Sequence, residues 1–181
     1  MKQLKIVIVG DSGVGKTCLV RRLAYSTFSD ETKATLGAMY ISKILELPDT
    51  GEAAVLQIWD TAGQERYRSL AEMHYKDAAA AILVYDLTKK ASLDSLFYWI
   101  DELRAKAPKG IKLAVAANKA DLIEAQAGDP FDAHTFADSH NAIYKMTSAK
   151  DGTGVKELFS LVVKSVLATL PSPVHYYALR V

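Results

Sequence analysis

The string Gly10-Asp11-Ser12-Gly13-Val14-Gly15-Lys16-Thr17 constrains this chain more than any other. It follows an apolar run, Leu4–Val9, and leads into Lys16–Ala24, which has helical spacing. A glycine-rich loop between a strand and a helix turns several backbone N–H groups onto one point, the arrangement that phosphates need. The helix N-terminus adds a partial positive charge. In the pattern G-x-x-x-x-G-K-[ST], the lysine reaches the β- and γ-phosphates and the hydroxyl, here that of Thr17, ligates Mg²⁺. Asp11, Ser12, Gly13, Val14, Gly15, Lys16 and Thr17 are thus candidate phosphate contacts. Cys18 joins them through its backbone N–H, with its small side chain expected to pack.

The rest of the chain supplies a fold for such a loop. Apolar runs at Leu4–Val9, Val55–Trp59, Ala80–Tyr85 and Leu113–Ala117 lack a polar face and read as buried strands. Helical spacing recurs between and after them, at Leu93, Leu96, Phe97, Ile100 and Leu103, and again at Leu158, Leu161, Val162, Val166 and Leu170. Alternating strands and helices predict an α/β fold on a parallel sheet. Ile41–Leu47 and Ala53–Trp59, separated by Pro48-Asp49-Thr50-Gly51, predict an antiparallel hairpin at its edge. In open sheets of this kind ligands bind beyond the carboxyl ends of the strands.

Composition excludes several other classes. With 181 residues, one domain is expected, burying about 70% of its unfolded surface without staples. Twenty-two basic and 21 acidic residues leave a net charge of +1, so no bulk field draws the chain to nucleic acid. The single cysteine cannot form an internal disulfide, and a reducing, cytoplasmic compartment is expected. The longest apolar stretch, Ala78–Tyr85, is eight residues against the roughly 20 that span a bilayer.

A second constellation points to the base. Asn118-Lys119-Ala120-Asp121 follows one strand, and Thr147-Ser148-Ala149-Lys150 follows another short apolar stretch. Guanine offers N1–H and a 2-amino group on one edge, and the Asp121 carboxylate accepts from both. Adenine would leave that carboxylate unpaired, a costly outcome that makes it a specificity device. Lys119 and Phe28 are placed to cover the two faces of the base.

These strings, with Trp59-Asp60-Thr61-Ala62-Gly63-Gln64-Glu65, resemble in order and spacing the Ras-superfamily small GTPases, and most of all the Rab branch. The likeness runs from about residue 4 to 170. It implies a P-loop NTPase fold with a six-stranded, mostly parallel sheet, one antiparallel edge strand and five flanking helices. It implies a GTPase domain over 1–170 and a short tail over 171–181. It implies Mg²⁺ held by Thr17, by Thr35 and, through a water, by Asp60, with GTP or GDP as the ligand. Gly63 would approach the γ-phosphate, and Ser148, Ala149 and Lys150 would complete the base pocket.

Catalysis is expected of Gln64, orienting the attacking water, with Lys16 on the phosphates. Without an arginine in cis, turnover would be on the order of 10⁻⁴ to 10⁻³ s⁻¹, making the output a switch in membrane traffic. The alternative is a guanine-nucleotide-dependent scaffold with little turnover. Exchange factors, GTPase-activating proteins and effectors would be the partners, with effectors meeting Tyr40, Trp59, Tyr67, Leu70, Met73, His74 and Tyr75. Core packing is the rival role for those rings. Three departures from the Rab pattern bear on effector identity: Met39 where an acidic residue is usual, His74 where an aromatic is usual, and a hairpin about two residues longer. A prenylated tail is expected of the branch, and Pro171–Val181 contains no cysteine. The expectation is a chain cut before that tail, with a lipid-free relative as the alternative. Lys2 rules out N-myristoylation, which needs glycine there.

Overall fold

In the computed structural model, which describes residues 1–29, 35, 37–63, 68–124 and 128–170, strand order is the first consequence of the apolar runs. Six strands, β1 (Lys2–Val9), β2 (Ala38–Glu46), β3 (Ala53–Thr61), β4 (Ala80–Asp86), β5 (Lys112–Asn118) and β6 (Ile143–Met146), form one sheet. Their order is β2-β3-β1-β4-β5-β6. All neighbours run parallel except β2 and β3, which pair antiparallel from Ala38↔Thr61 to Glu46↔Ala53.

The central runs look uniformly apolar because both faces are covered, yet they still alternate. Leu4, Ile6, Ile8, Ile82 and Val84 face a core closed by α1 (Lys16–Tyr25) and α6 (Val155–Leu167). Val7, Val9, Leu83, Tyr85 and Val115 face a second core. It is closed by α2 (Arg68–Tyr75), α3 (Lys90–Asp94), α4 (Leu96–Lys106) and α5 (Ala133–Ser139). Between α3 and α4, Ser95 is itself helical (φ −64°, ψ −19°), so these two are one helical arm and, among the described residues, five helices flank the sheet. Among the described residues, no helix is long and apolar enough to cross a membrane.

The edge hairpin differs in extent from the expectation. Its second arm starts at Ala53 as expected, but β2 begins three residues before Ile41, at Ala38. Ala38-Met39-Tyr40 lacks alternation, but β3 runs on to Thr61 and offers those residues ladder partners. The turn is closed by Leu47 N–H to Glu52 O at 2.8 Å and Gly51 N–H to Leu47 O at 2.9 Å, with Gly51 at φ +68°. Every parallel strand therefore ends at the same edge of the sheet, where the loops after β1, β3, β4, β5 and β6 meet.

Candidate functional site

The loop after β1 wraps one end of a cavity of about 410 Å³. Gly15 takes φ +96°, and a Cβ there would lie 2.3 Å from Asn118 Nδ2, so only glycine lets the loop sit against the end of β5. Asn118 answers by donating from Nδ2 to Val14 O at 2.9 Å. Lys16 is 6% exposed and turns back over the loop, its ammonium donating to Gly10 O at 2.8 Å and Asp11 O at 2.7 Å. Burial pulls its pKa down to about 8, against the attraction of Asp60 and Asp11, so it remains a cation at neutral pH. Gly63, after β3, closes over it. A Cβ there would lie 2.4 Å from Lys16 Nζ and 2.5 Å from Gly10 O.

Next to this cation lies a cluster of oxygens. Thr17 Oγ1 is 2.8 Å from Thr35 Oγ1 and donates to Asp60 Oδ2. Asp60 is fully buried, and burial pushes its carboxyl up to about 6 although Thr17 and Lys16 pull the other way. Among the described residues, its second oxygen, Oδ1, has no hydrogen-bond partner. Two hydroxyls and a buried carboxylate with a spare oxygen suit a small hard cation, which takes oxygen ligands and keeps waters. Among the described residues, no group of three or more His, Cys, Asp or Glu offers a competing metal site.

The far end is built by β5 and β6. Asn118 Oδ1 accepts from Thr147 Oγ1 at 3.2 Å and Ala149 N–H at 3.3 Å, joining the two loops. Ser148, fully buried, donates to Asp121 Oδ1 at 2.6 Å and so fixes a carboxylate that reaches solvent. Lys119 pairs with Asp86 at 2.7 Å. Burial would raise the Asp86 carboxyl, but bonds from Lys119 and from the Thr88 hydroxyl and N–H outweigh it and hold it below its ordinary value. With its ammonium tied there, Lys119 presents its alkyl stem to the cavity that Phe28 also lines.

Ser12, Gly13, Gly15, Lys16, Thr17, Cys18, Phe28, Thr35, Gly63, Asn118, Lys119, Asp121, Ala149 and Lys150 all line this cavity. Asp11, Val14 and Ser148 stand behind it: Asp11 Oδ1 accepts from Trp99 Nε1 at 3.3 Å, Val14 is held by Asn118, and Ser148 holds Asp121. Sequence reasoning missed Ser29 and Leu122 on the wall. It also missed three supports, Asp86, Trp99 and Arg22, whose Nε donates to Ala149 O at 2.7 Å. Only Asp86 left a sequence signal, an acid at the end of an apolar strand like Asp60.

Gln64 and Tyr67 lie outside the described residues, and Leu70 is placed in α2 by its backbone alone. Of the other expected effector residues, Met73 is 72% and Tyr40 48% exposed. The Trp59 ring lies 5.1 Å from Tyr40 and is stacked on His74 at 4.5 Å, with Lys5 Nζ 5.7 Å above it. Burial and Lys5 lower the His74 pKa, so it packs as a neutral ring. Tyr75, expected on the effector surface, is instead wholly buried and belongs to the core beneath β1.

A sequence model of the Ras family matches residues 5–168. The chain is 45% identical over 163 residues to the GTP-binding protein ypt5 of Schizosaccharomyces pombe, covering 90% of this chain and 77% of that protein. It is 41% identical to the Ras-related protein Rab-22A of Homo sapiens, covering 99% of this chain and 93% of that one. Against the Ras-related protein RABF2b of Arabidopsis thaliana the identity is 40%, over 93% and 83%. With this sheet, this phosphate loop and these relatives, the chain belongs to the Ras family and is a Rab-like small GTPase, a GTP hydrolase of vesicle traffic.

Proposed function

We propose that residues 1–170 are a Mg²⁺-dependent switch in which the cavity holds GTP or GDP with its phosphates on Gly10–Thr17 and its base between Lys119 and Phe28. The buried Asp60 carboxylate, with one oxygen unpartnered beside the Thr17 and Thr35 hydroxyls, supports this most directly. Thr17 and Thr35 would ligate Mg²⁺, and Asp60 would hold one of its waters. The ion would supply charge neutralisation on the β- and γ-phosphates.

Lys16 gives the phosphates a desolvated cation already aimed by two carbonyls, so little reorganisation is needed as negative charge moves to the leaving oxygen. Gln64 orients a water in line with the γ-phosphorus. The new P–O bond forms as the bond to GDP breaks, releasing phosphate. Loss of the γ-phosphate removes the contacts of Thr35 and Gly63, and the surface around Tyr40, Trp59, Met73 and His74 changes its partners. Exchange factors, activating proteins and effectors would act through that surface. The protein would work in the cytoplasm, and on the cytosolic face of endomembranes if its native chain carries a prenylated tail as in the Rab branch.

The test is GDP release with and without chelator, alongside Thr17→Asn. Chelation should speed release, and the variant should bind GTP and Mg²⁺ more weakly. Release indifferent to Mg²⁺, or undiminished GTP affinity in Thr17→Asn, would overturn the metal assignment.

A further inference from the structure

Arg22 occupies the last turn of α1, half-buried, five residues beyond Thr17. Its guanidinium uses three nitrogens on three carbonyls. Nε donates to Ala149 O at 2.7 Å, Nη2 donates to Lys150 O, and Nη1 donates to Ser26 O at 2.9 Å. The third bond serves the end of its own helix, where the Ser26 N–H already caps Arg22 O at 3.0 Å. The first two serve a loop 127 and 128 residues away. That loop has its own internal closure, with Gly152 N–H to Ser148 O at 2.8 Å and Ser148 N–H to Thr153 O at 2.9 Å, so it moves as a unit. Its inner side carries Ser148, which fixes Asp121, and Ala149, which touches Asn118. Its outer side rests on Arg22, whose Cδ is 3.6 Å from where a Gly152 Cβ would stand.

Resting on the guanine-nucleotide reading above, we infer that Arg22 is a positioning residue for base recognition, clamping the Ser148–Lys150 loop so that Asp121 stays aimed at the guanine edge. Only a planar fork reaches two successive carbonyls and the helix end together; an ammonium on a flexible stem does not. Arg22 shares α1 with Lys16 and Thr17, so the helix ties the phosphate end to the base end. The span from Thr17 to Arg22 is about 7.5 Å of rigid helix.

The experiment compares the parent chain with Arg22→Ala and Arg22→Lys, using fluorescent GDP and fluorescent IDP, whose base lacks the 2-amino group, in excess Mg²⁺. Arg22→Lys keeps the charge and the stem and guards against a folding defect in the alanine variant. Both variants should release GDP about ten- to a hundredfold faster, the factor set by losing a pair of charge-assisted hydrogen bonds. The preference for GDP over IDP should shrink, because the carboxylate that reads the 2-amino group is no longer held, while the acceleration caused by chelating Mg²⁺ stays the same. Unchanged GDP release, or faster release with the GDP preference intact, would overturn the clamp. Failure of the parent chain to bind either nucleotide would instead overturn the guanine reading itself.

Discussion

Lys16, Asp60 and Gly63 show how single residues are set against their own preferences at this site. A lysine pulled down to about 8 and a carboxyl pushed up to about 6 are both costs of burial, tolerated because a polyphosphate and a cation would repay them in kind. Gly63 is where a methyl group would do most damage. In Gly63→Ala the new Cβ would press on Lys16 Nζ and the Gly10 and Asp11 backbone, so both nucleotides should bind more weakly, GTP more than GDP. Titration of each nucleotide checks this, and an unchanged GTP-to-GDP ratio would contradict it. Gln64→Leu should slow intrinsic hydrolysis without loss of GTP binding; a parental single-turnover rate would remove Gln64 from the chemistry. Most of these residues are legible in the sequence because phosphate and guanine chemistry need particular side chains at fixed local spacing. Arg22 and Trp99 are not, since they act on residues 127 and 88 positions away, distances that no local pattern encodes.

Among the elements, α5 adds a carboxylate at its start to its own apolar stripe of Ala133, Phe136 and Ala137. Asp129 Oδ2 accepts from Tyr85 Oη at 2.5 Å, Tyr144 Oη at 2.9 Å and Ala133 N–H at 2.9 Å, and Oδ1 accepts from Phe131 N–H at 2.9 Å. This joins β4 and β6 to the start of a seven-residue helix. Burial would raise the Asp129 carboxyl, but the four donors outweigh it and hold it below its ordinary 3.8. A folded pKa below the unfolded one stabilises the fold above that value and loses the contribution as pH falls through the folded pKa. Asp129→Asn should therefore cost about 1–3 kcal/mol near neutral pH from the lost hydrogen bonds, a gap that narrows in urea unfolding as pH falls below the carboxyl's ordinary 3.8. A gap that did not change with pH would contradict the account. The stripes of α1, α4 and α6 and the hairpin arms were readable from periodicity. The eight-residue α2, the seven-residue α5 and the first three residues of β2 were not, because partners elsewhere in the sheet, rather than local alternation, hold them.

On the scale of the whole molecule, one sheet with a core on each face gathers five loops at a single edge, and the ligand would cross-link them. Asn118, Thr147 and Arg22 already join the loops pairwise, and nucleotide would join the phosphate end to the base end. Mass action then makes stability depend on the ligand: at a hundredfold excess over Kd the gain is about 2.7 kcal/mol, or roughly 5–10 °C in a domain of this size. Melting curves of stripped and reloaded protein should differ by that amount, and coincident curves would speak against a ligand that braces the fold. Denaturing the purified protein and identifying what it releases shows whether this edge is a guanine-nucleotide site. GDP or GTP should be released in near-stoichiometric amount. An adenine nucleotide, or no nucleotide even after loading with Mg²⁺ and GTP, would contradict it.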